Sequence, residues 1–168
     1  MKEIKLSKGY IAIVDDEDYE YLSQWKWYAD VKPYTVYAAR AIRNNGIKTS
    51  IRMHAVILGL NKGEICDHID HNGLNNQKAN IRKCNASENA KNRRSSINSK
   101  SKYLGVFPSF RKNNPWRAQI KVNGNKISLG NYKQEINAAM AYDVAAIKYY
   151  KEYANLNILA DPSLRHSA

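Results

Sequence analysis

Ten residues near the middle of the chain, 93–102 (RRSSINSKSK), constrain the fold more than any other stretch. Ile97 is the only large apolar side chain among them, and four Lys or Arg stand against no Asp or Glu. A tract so polar has nothing to bury, so it reads as a basic linker or a solvated loop. It divides the 168 residues into a module over 1–92, a second over 103–160 and a tail, 161–168. The second module lies near the lower size limit for an independent core.

Charge respects the same division. Lys and Arg number 27 against 15 Asp and Glu, a formal net charge of +12. Residues 1–60 carry +2 of this, 61–92 only +1, the tract +4 and 103–168 +5. An excess concentrated in the tract and in the residues after it points to a polyanionic partner. No apolar run approaches the ~18 residues of a membrane span. The opening MKEIKLSKGY lacks the apolar stretch of a secretory signal. Two cysteines, Cys66 and Cys84, are too few for a disulfide framework, which suggests a reducing cytoplasm. They lie 18 apart with no C-x-x-C pair, so buried free thiols are expected rather than a zinc site.

The first module begins as strands. Ile4 and Leu6, then Tyr10, Ala12 and Val14, alternate around a Ser-Lys-Gly turn. Asp15, Asp16, Glu17 and Asp18 precede Tyr19, Leu22 and Trp25, the pattern of a helix with carboxylates in its first turn. An acidic quartet can also hold a metal, but helix capping is the better reading here. Residues 34–43 and 47–52 flank Asn44-Asn45-Gly46, a hairpin signal. Trp25, Trp27, Tyr28, Tyr34 and Tyr37 read as core and rim rather than as a base-stacking platform.

Chemistry concentrates in 66–92, CDHIDHNGLNNQKANIRKCNASENAKN. The order expected is strand, turn, strand, short helix, with Ser87 as a possible N-cap. A phosphodiester hydrolase needs a divalent cation to offset developing charge and a base to activate water. Asp67 and the side-chain carbonyl oxygen of Asn89 could supply two oxygen ligands, which suits Mg²⁺, and His68 could serve the water. Adjacent strand residues face opposite ways, so joint use of Asp67 and His68 requires a local twist or bulge.

These residues resemble the HNH endonucleases, whose ββα-metal motif is a hairpin followed by a helix. The resemblance covers 54–92 and rests on D-H-I-D-x-N-x-L-N-N followed by N-I-R. It implies His68 as general base, Asp67 as a metal ligand, Asn80 as the residue that orients the base and Asn89 as the second ligand. Asn at the last position is similar to the H-N-N group of phage homing endonucleases. A divalent metal is implied, Mg²⁺ first and Mn²⁺ as the alternative. His71 lies where that family often has Gly, and no role is assigned to it. His54 supports the site, touches a phosphate or is structural.

The second module has the clearer periodicity. Trp116, Ala118, Ile120 and Val122 alternate with Arg117, Gln119 and Lys121; Asn123-Gly124 is a turn; Ile127 and Leu129 then alternate with Lys126 and Ser128. Residues 104–109 add a third strand, with Phe107 and Ser109 on its polar face. From 133 to 151 the pattern turns helical, with Ile136, Ala139, Met140, Val144, Ile147 and Tyr150 as the stripe expected to cover the sheet. The opposite sheet face gathers Arg111, Arg117, Gln119, Lys121 and Lys126. No acidic residue falls between Lys91 and Gln134, which favours duplex DNA as the partner over a merely solvated face.

Tyr103-Leu104-Gly105-Val106, Trp116-Arg117-Ala118-Gln119-Ile120, Leu129-Gly130-Asn131-Tyr132 and Asn155-Leu156-Asn157 resemble the plant apetala-type (ethylene-response-factor) DNA-binding domain. Its sheet enters the major groove, and its contact positions match Phe107, Ser109, Gln119, Lys121, Lys126 and Ser128. Several of these differ from the plant residues, so the plant target site does not carry over. Arg93, Arg94, Lys100 and Lys102 are expected to meet phosphates.

The fold class expected is α+β. The first module should carry a ββα-metal motif over about 66–92. The second should be a three-stranded antiparallel sheet packed on one helix. The function expected is a metal-dependent endonuclease acting at a preferred site on double-stranded DNA, of the homing kind. No membrane and no obligatory protein partner are indicated, and the cytoplasm of a bacterial or phage-infected cell is the expected setting. The alternatives are a DNA-binding regulator with an inert nuclease half, and an RNA-associated basic protein.

Overall fold

The computed structural model describes residues 1–44, 46–96 and 98–159; Asn45, Ile97 and the expected tail at 161–168 lie outside the described residues. The chain forms two compact units, Met1–Asn89 and Ala90–Ala168. Helices and several small antiparallel sheets occur together, an α+β composition.

The first unit opens with the strands β1 (Lys2–Lys5) and β2 (Ile11–Val14), paired antiparallel with Ile4 opposite Ala12. The turn between them uses left-handed backbone at Lys8 and Gly9. Ile4, Leu6, Ala12 and Val14 are buried, as their alternation requires. Helix α1 (Asp16–Leu22) has Asp16, Glu17 and Asp18 in its first turn, beside the positive end of its dipole. Its last residue, Leu22, is fully buried, and the Leu22 carbonyl accepts the indole N–H of buried Trp27 at 2.8 Å. Strands β3 (Tyr28–Val31), β4 (Val36–Asn44) and β5 (Ile47–Arg52) form an antiparallel sheet in that order. Among the expected aromatic core residues, Trp27 is buried, while Tyr34 is almost fully exposed.

Strand β5 runs directly into the short helix α2 (Met53–Ile57), which buries Met53 and His54. Strands β6 (Ile65–His68) and β7 (Ile81–Cys84) then pair antiparallel, and α3 (Ala86–Asn89) comes next. The core of this unit joins Ile4, Leu6, Val14, Leu22, Trp27 and Met53.

The second unit is a three-stranded antiparallel sheet of β8 (Val106–Pro108), β9 (Trp116–Val122) and β10 (Asn125–Tyr132), with β9 central. Strand β8 is shorter than the 104–109 expected. Helix α4 (Glu135–Tyr150) packs on the sheet. Of the stripe expected to cover the sheet, Ala139 and Tyr150 do so, but its large aliphatic residues do not. Ala138, Ala139, Tyr142, Ala145, Ala146 and Tyr150 are buried, whereas Ile136, Met140, Val144 and Ile147 are exposed, Val144 by 62%.

Distance of approach explains the inversion. Gly105 has φ +75°, and a Cβ there would come within 2.0 Å of the Tyr142 ring. A helix held this close to its sheet has room for alanine methyls but not for branched side chains. Asp143, on the same inward face, is also fully buried. Its two oxygens accept the backbone N–H groups of Asn157, Ile158 and Leu159 at 2.7–3.0 Å and the amide of Asn157 at 3.0 Å. The helix thus uses its interior carboxylate to bind the segment after it. Among the described residues no helix is long and apolar enough to cross a membrane.

Candidate nuclease site

The register of the β6–β7 hairpin sets the site. Asp67 lies opposite Arg82, and His68 opposite Ile81, with no bulge. Both Asp67 (5% exposed) and His68 (7%) are nevertheless buried, because this narrow ribbon is covered on both faces. On one face Arg82 donates from Nε (2.9 Å) and Nη2 (2.6 Å) to Oδ2 of Asp67. On the other, the His68 ring meets His54 edge-on at a centroid distance of 5.0 Å, and Tyr37 at 5.8 Å. Tyr37 also meets His54 at 5.6 Å, and the Arg52 guanidinium lies 4.1 Å from the Tyr37 ring centre.

Burial holds the His68 imidazole below its ordinary value, with the Arg52 charge adding to the effect; the Asn76 side chain and the charges of Asp70 and Asp67 oppose it. His54 is pushed further, to about 3, by burial first and then by the charges of His68 and Arg52. Neutral imidazole is the resting state of both rings near pH 7.

Asn80 works on the turn that leads away from His68. Its Nδ2 donates to Asp70 Oδ1 (2.9 Å) and to the Asn75 carbonyl (2.8 Å), and its Oδ1 accepts the Asp70 N–H (3.0 Å). Asp70 is the centre of this turn, accepting also from the Asn72 N–H and from Asn75 Nδ2, both at 2.8 Å. Burial works to raise the Asp70 carboxyl, but these hydrogen bonds prevail and hold it below its usual value. His71 sits in the same turn at φ +63°, a left-handed position that suits glycine.

The turn is fastened at three further places. Gly73 lies so close to β4 that a Cβ would reach within 2.6 Å of the Val36 carbonyl and the Tyr37 ring. Ile13 of β2 donates to Leu74 and accepts from Asn76, both at 2.8 Å. Asp15, just beyond β2, accepts from the Gln77 amide (3.1 Å) and the Lys78 N–H (2.7 Å). Its carboxylate therefore serves the turn rather than capping α1, where it makes no side-chain capping bond.

Asn89 ends α3 and is exposed. Its backbone N–H bonds to the Asn85 carbonyl (2.9 Å) and also reaches the Cys84 thiol, which in turn feels the charge of Asp67. Asp67 and Asn89, the ligands that the resemblance implies, both carry oxygen donors of the kind Mg²⁺ or Mn²⁺ prefers.

A second donor set was not foreseen in the sequence. Ligand atoms of His54, Cys66 and His68 all lie within 4.8 Å of one another. Cys66 donates to the Asp67 carbonyl at 3.6 Å, and burial, aided by the nearby Cys84, pushes its thiol up to about 12. His54 Nδ1 is buried without a hydrogen-bond partner. An open cleft of about 640 Å³ reaches this group, with Tyr37, Arg52, His54, Leu60, Glu64 and Cys66 in its wall. The sequence signal was His54 with Cys66-x-His68, obscured by the search for paired cysteines.

In the second unit, the register puts Phe107 opposite Arg117, Gln119 opposite Ser128 and Lys121 opposite Lys126, all on the face away from α4. Phe107, Arg117, Lys121, Lys126 and Ser128 are exposed and Gln119 half-buried. The Arg117 guanidinium lies 5.9 Å from the Phe107 ring centre. Ser109 lies just past β8, its N–H bonded to Pro115 (2.7 Å), and Arg111 is exposed in the next turn. Arg93, Arg94, Lys100 and Lys102 are exposed, while Ser101 among them is buried and bonded to Tyr103.

No family model matches the chain, and no solved structure does. The chain is 30% identical over 156 residues to a protein of Acanthamoeba polyphaga mimivirus described as an uncharacterised HNH endonuclease. The match spans 89% of this chain and 76% of that relative.

Proposed function

The chain belongs to the HNH endonuclease family, and on that premise we propose that it is a divalent-metal-dependent endonuclease that hydrolyses double-stranded DNA at a preferred site, of the homing kind. The observation that carries this reading is the buried, neutral His68 on β6 beside Asp67; the two face opposite sides of the unbulged hairpin, so serving one phosphate together requires the ribbon to twist on binding. A neutral imidazole can take the proton of an attacking water, and a group that titrates near working pH suits that task. Asn80 fixes the turn that leaves His68, and in that way would orient the base. Asp67 and Asn89 are the residues assigned to Mg²⁺, with Mn²⁺ as substitute; the cation would supply charge to the scissile phosphate and its leaving oxygen. Arg82 holds the Asp67 carboxylate in place with its two hydrogen bonds.

The second unit supplies the duplex-reading surface, in the manner of the apetala-type domain. Lys121 and Lys126 support this, because like charges directly opposite each other destabilise a bare sheet and a polyanion offsets that cost. Arg111, Arg117, Gln119 and Ser128 provide donors and acceptors suited to base edges or phosphates, with Phe107 and Ser109 beside them. Arg93, Arg94, Lys100 and Lys102 are assigned to phosphates.

The test is cleavage of duplex DNA with Mg²⁺ by the intact protein and by His68→Ala. The variant should cut at least ~10²-fold more slowly while binding DNA as before. Wild-type cleavage by His68→Ala would remove His68 as base. DNA binding by the intact protein without any metal-dependent cleavage would make it a binding protein instead.

A further inference from the structure

We infer that His54, Cys66 and His68 form a second metal site, selective for a borderline-soft divalent ion such as Zn²⁺, whose occupation withdraws His68 from proton transfer. The metal-binding half stands on the geometry alone; the inhibitory half rests on the reading of His68 as base.

Three observations meet at this place. The donor atoms come from α2 and from two positions of β6 that share a face, and all lie within 4.8 Å of one another. Tetrahedral Zn²⁺ with ~2.0–2.1 Å bonds to nitrogen and ~2.3 Å to sulfur holds its ligand atoms roughly 3.3–3.7 Å apart. Closing the group around an ion therefore needs side-chain movements of about 1 Å, without a change of fold. Second, His54 is 93% buried, taking its 7% exposure from the whole, and its Nδ1 has no hydrogen-bond partner. A buried polar atom left in that state costs stability, and a metal bond would satisfy it. Third, the open cleft walled in part by His54 and Cys66 gives an ion from solvent a route to two of the three donors.

Donor chemistry decides which ion. Two imidazoles and a thiolate are a set for Zn²⁺ or Co²⁺ and a poor one for Mg²⁺, which prefers oxygen. The two sites therefore sort cations by softness, although Asp67 and His68 are neighbours in sequence. On binding, the Cys66 S–H bond breaks, its proton passes to solvent and the sulfur pair forms the bond to the metal; no electron is transferred. Three protein ligands leave a fourth position for water. The imidazole nitrogen of His68 that bonds the metal is no longer able to take a proton.

Co²⁺ is the direct probe. Metal-free full-length protein titrated with Co²⁺ should develop a thiolate-to-metal charge-transfer band in the near ultraviolet, with tetrahedral ligand-field bands in the visible, saturating at one ion per chain. Cys66→Ser should lose the near-ultraviolet band, and His54→Gln should weaken binding by at least about tenfold. Circular dichroism on both variants establishes that they are folded; if one is not, the other carries the test. Absence of the thiolate band in the wild type, or its persistence in Cys66→Ser, overturns the site.

The second arm is inhibition by Zn²⁺ of cleavage in excess Mg²⁺, each protein scored against its own Zn²⁺-free rate. Cys66→Ser should need at least about tenfold more Zn²⁺ for half-inhibition, and an unchanged value overturns the inhibitory role. If the wild type does not cut DNA in Mg²⁺, the nuclease reading and the inhibitory role fall together, while the cobalt spectrum still decides the metal site.

Discussion

Arg82 and Asp67 face each other across the β6–β7 hairpin, and two nitrogens of the one converge on a single oxygen of the other, Nε at 2.9 Å and Nη2 at 2.6 Å. With Asp67 95% buried, this is a charge pair with little access to water. Removing one member of such a pair strands the other, at a typical cost of ~3–5 kcal/mol. Arg82→Ala should therefore lower the unfolding free energy by several kcal/mol in a urea titration at pH 7. Arg82→Lys keeps the charge but loses the two-pronged geometry, so an intermediate loss is expected. Equal stability of wild type and Arg82→Ala would mean that the pair contributes nothing net.

His54 gives the first unit an acid sensitivity. The folded protein holds its pKa at about 3 against an ordinary 6.5. Below pH 6.5 the unfolded chain binds a proton there that the folded chain refuses until about pH 3. Stability from this group is thus intact above pH 6.5 and is lost as pH falls through that window, at up to ~1.4 kcal/mol per pH unit. Denaturant titrations of metal-free protein at pH 7, 6, 5 and 4 should show the decline. His54→Phe should flatten it by about one proton; an unchanged slope would assign the decline to other groups.

The inverted helix face in the second unit makes two substitutions informative together. Val144→Lys, on the exposed stripe, should change stability by no more than about 0.5 kcal/mol. Ala146→Leu, at a fully buried position, should overpack the helix against the sheet and cost ~1–3 kcal/mol or more. Thermal melts of the two would reverse this order if the large apolar residues faced the sheet.

DNA affinity should separate positioning from reading. Replacing Arg93, Arg94, Lys100 and Lys102 by Ala should weaken binding to every duplex alike and flatten the dependence of log K on log salt by roughly 0.9 for each phosphate no longer neutralised. Gln119 is neutral and on the sheet face, so Gln119→Ala should reduce preference for the cognate site by ~1–3 kcal/mol, if it makes a bidentate pair, with the salt slope unchanged. Affinities on cognate and scrambled duplexes at several salt concentrations would show it. A linker variant that loses only cognate binding, beside a Gln119→Ala protein with full discrimination, would exchange the two roles.

Local pattern made the hairpins legible. A period of two with a turn signal identifies β4–β5 and β9–β10 without knowledge of the rest. What sequence could not supply was volume and register. Both stripes of α4 are apolar, and only the close approach at Gly105 decides that alanines face inward. Arg82 was visible within Asn-Ile-Arg, but its role needs the pairing of 67 with 82. His54 meets His68 through α2 across a sheet that no local signal describes. His71 was the readable exception: the family habit of glycine there matches its left-handed backbone.

The fastening of the site turn by Asp15 has a consequence for how the protein comes to exist. Its bonds to Gln77 and Lys78 close loops of 62 and 63 residues, and Ile13 closes others nearly as long. Contacts of such sequence separation carry a chain-entropy cost before they contribute, and they form late. The turn behind His68 takes its shape from the first strands and helix, so its closure is expected to follow theirs. A segment cut out at 54–92 would hold every signature residue and lack the anchor that shapes them. The unit that carries the site as a folded whole is therefore residues 1–89 and not the motif alone.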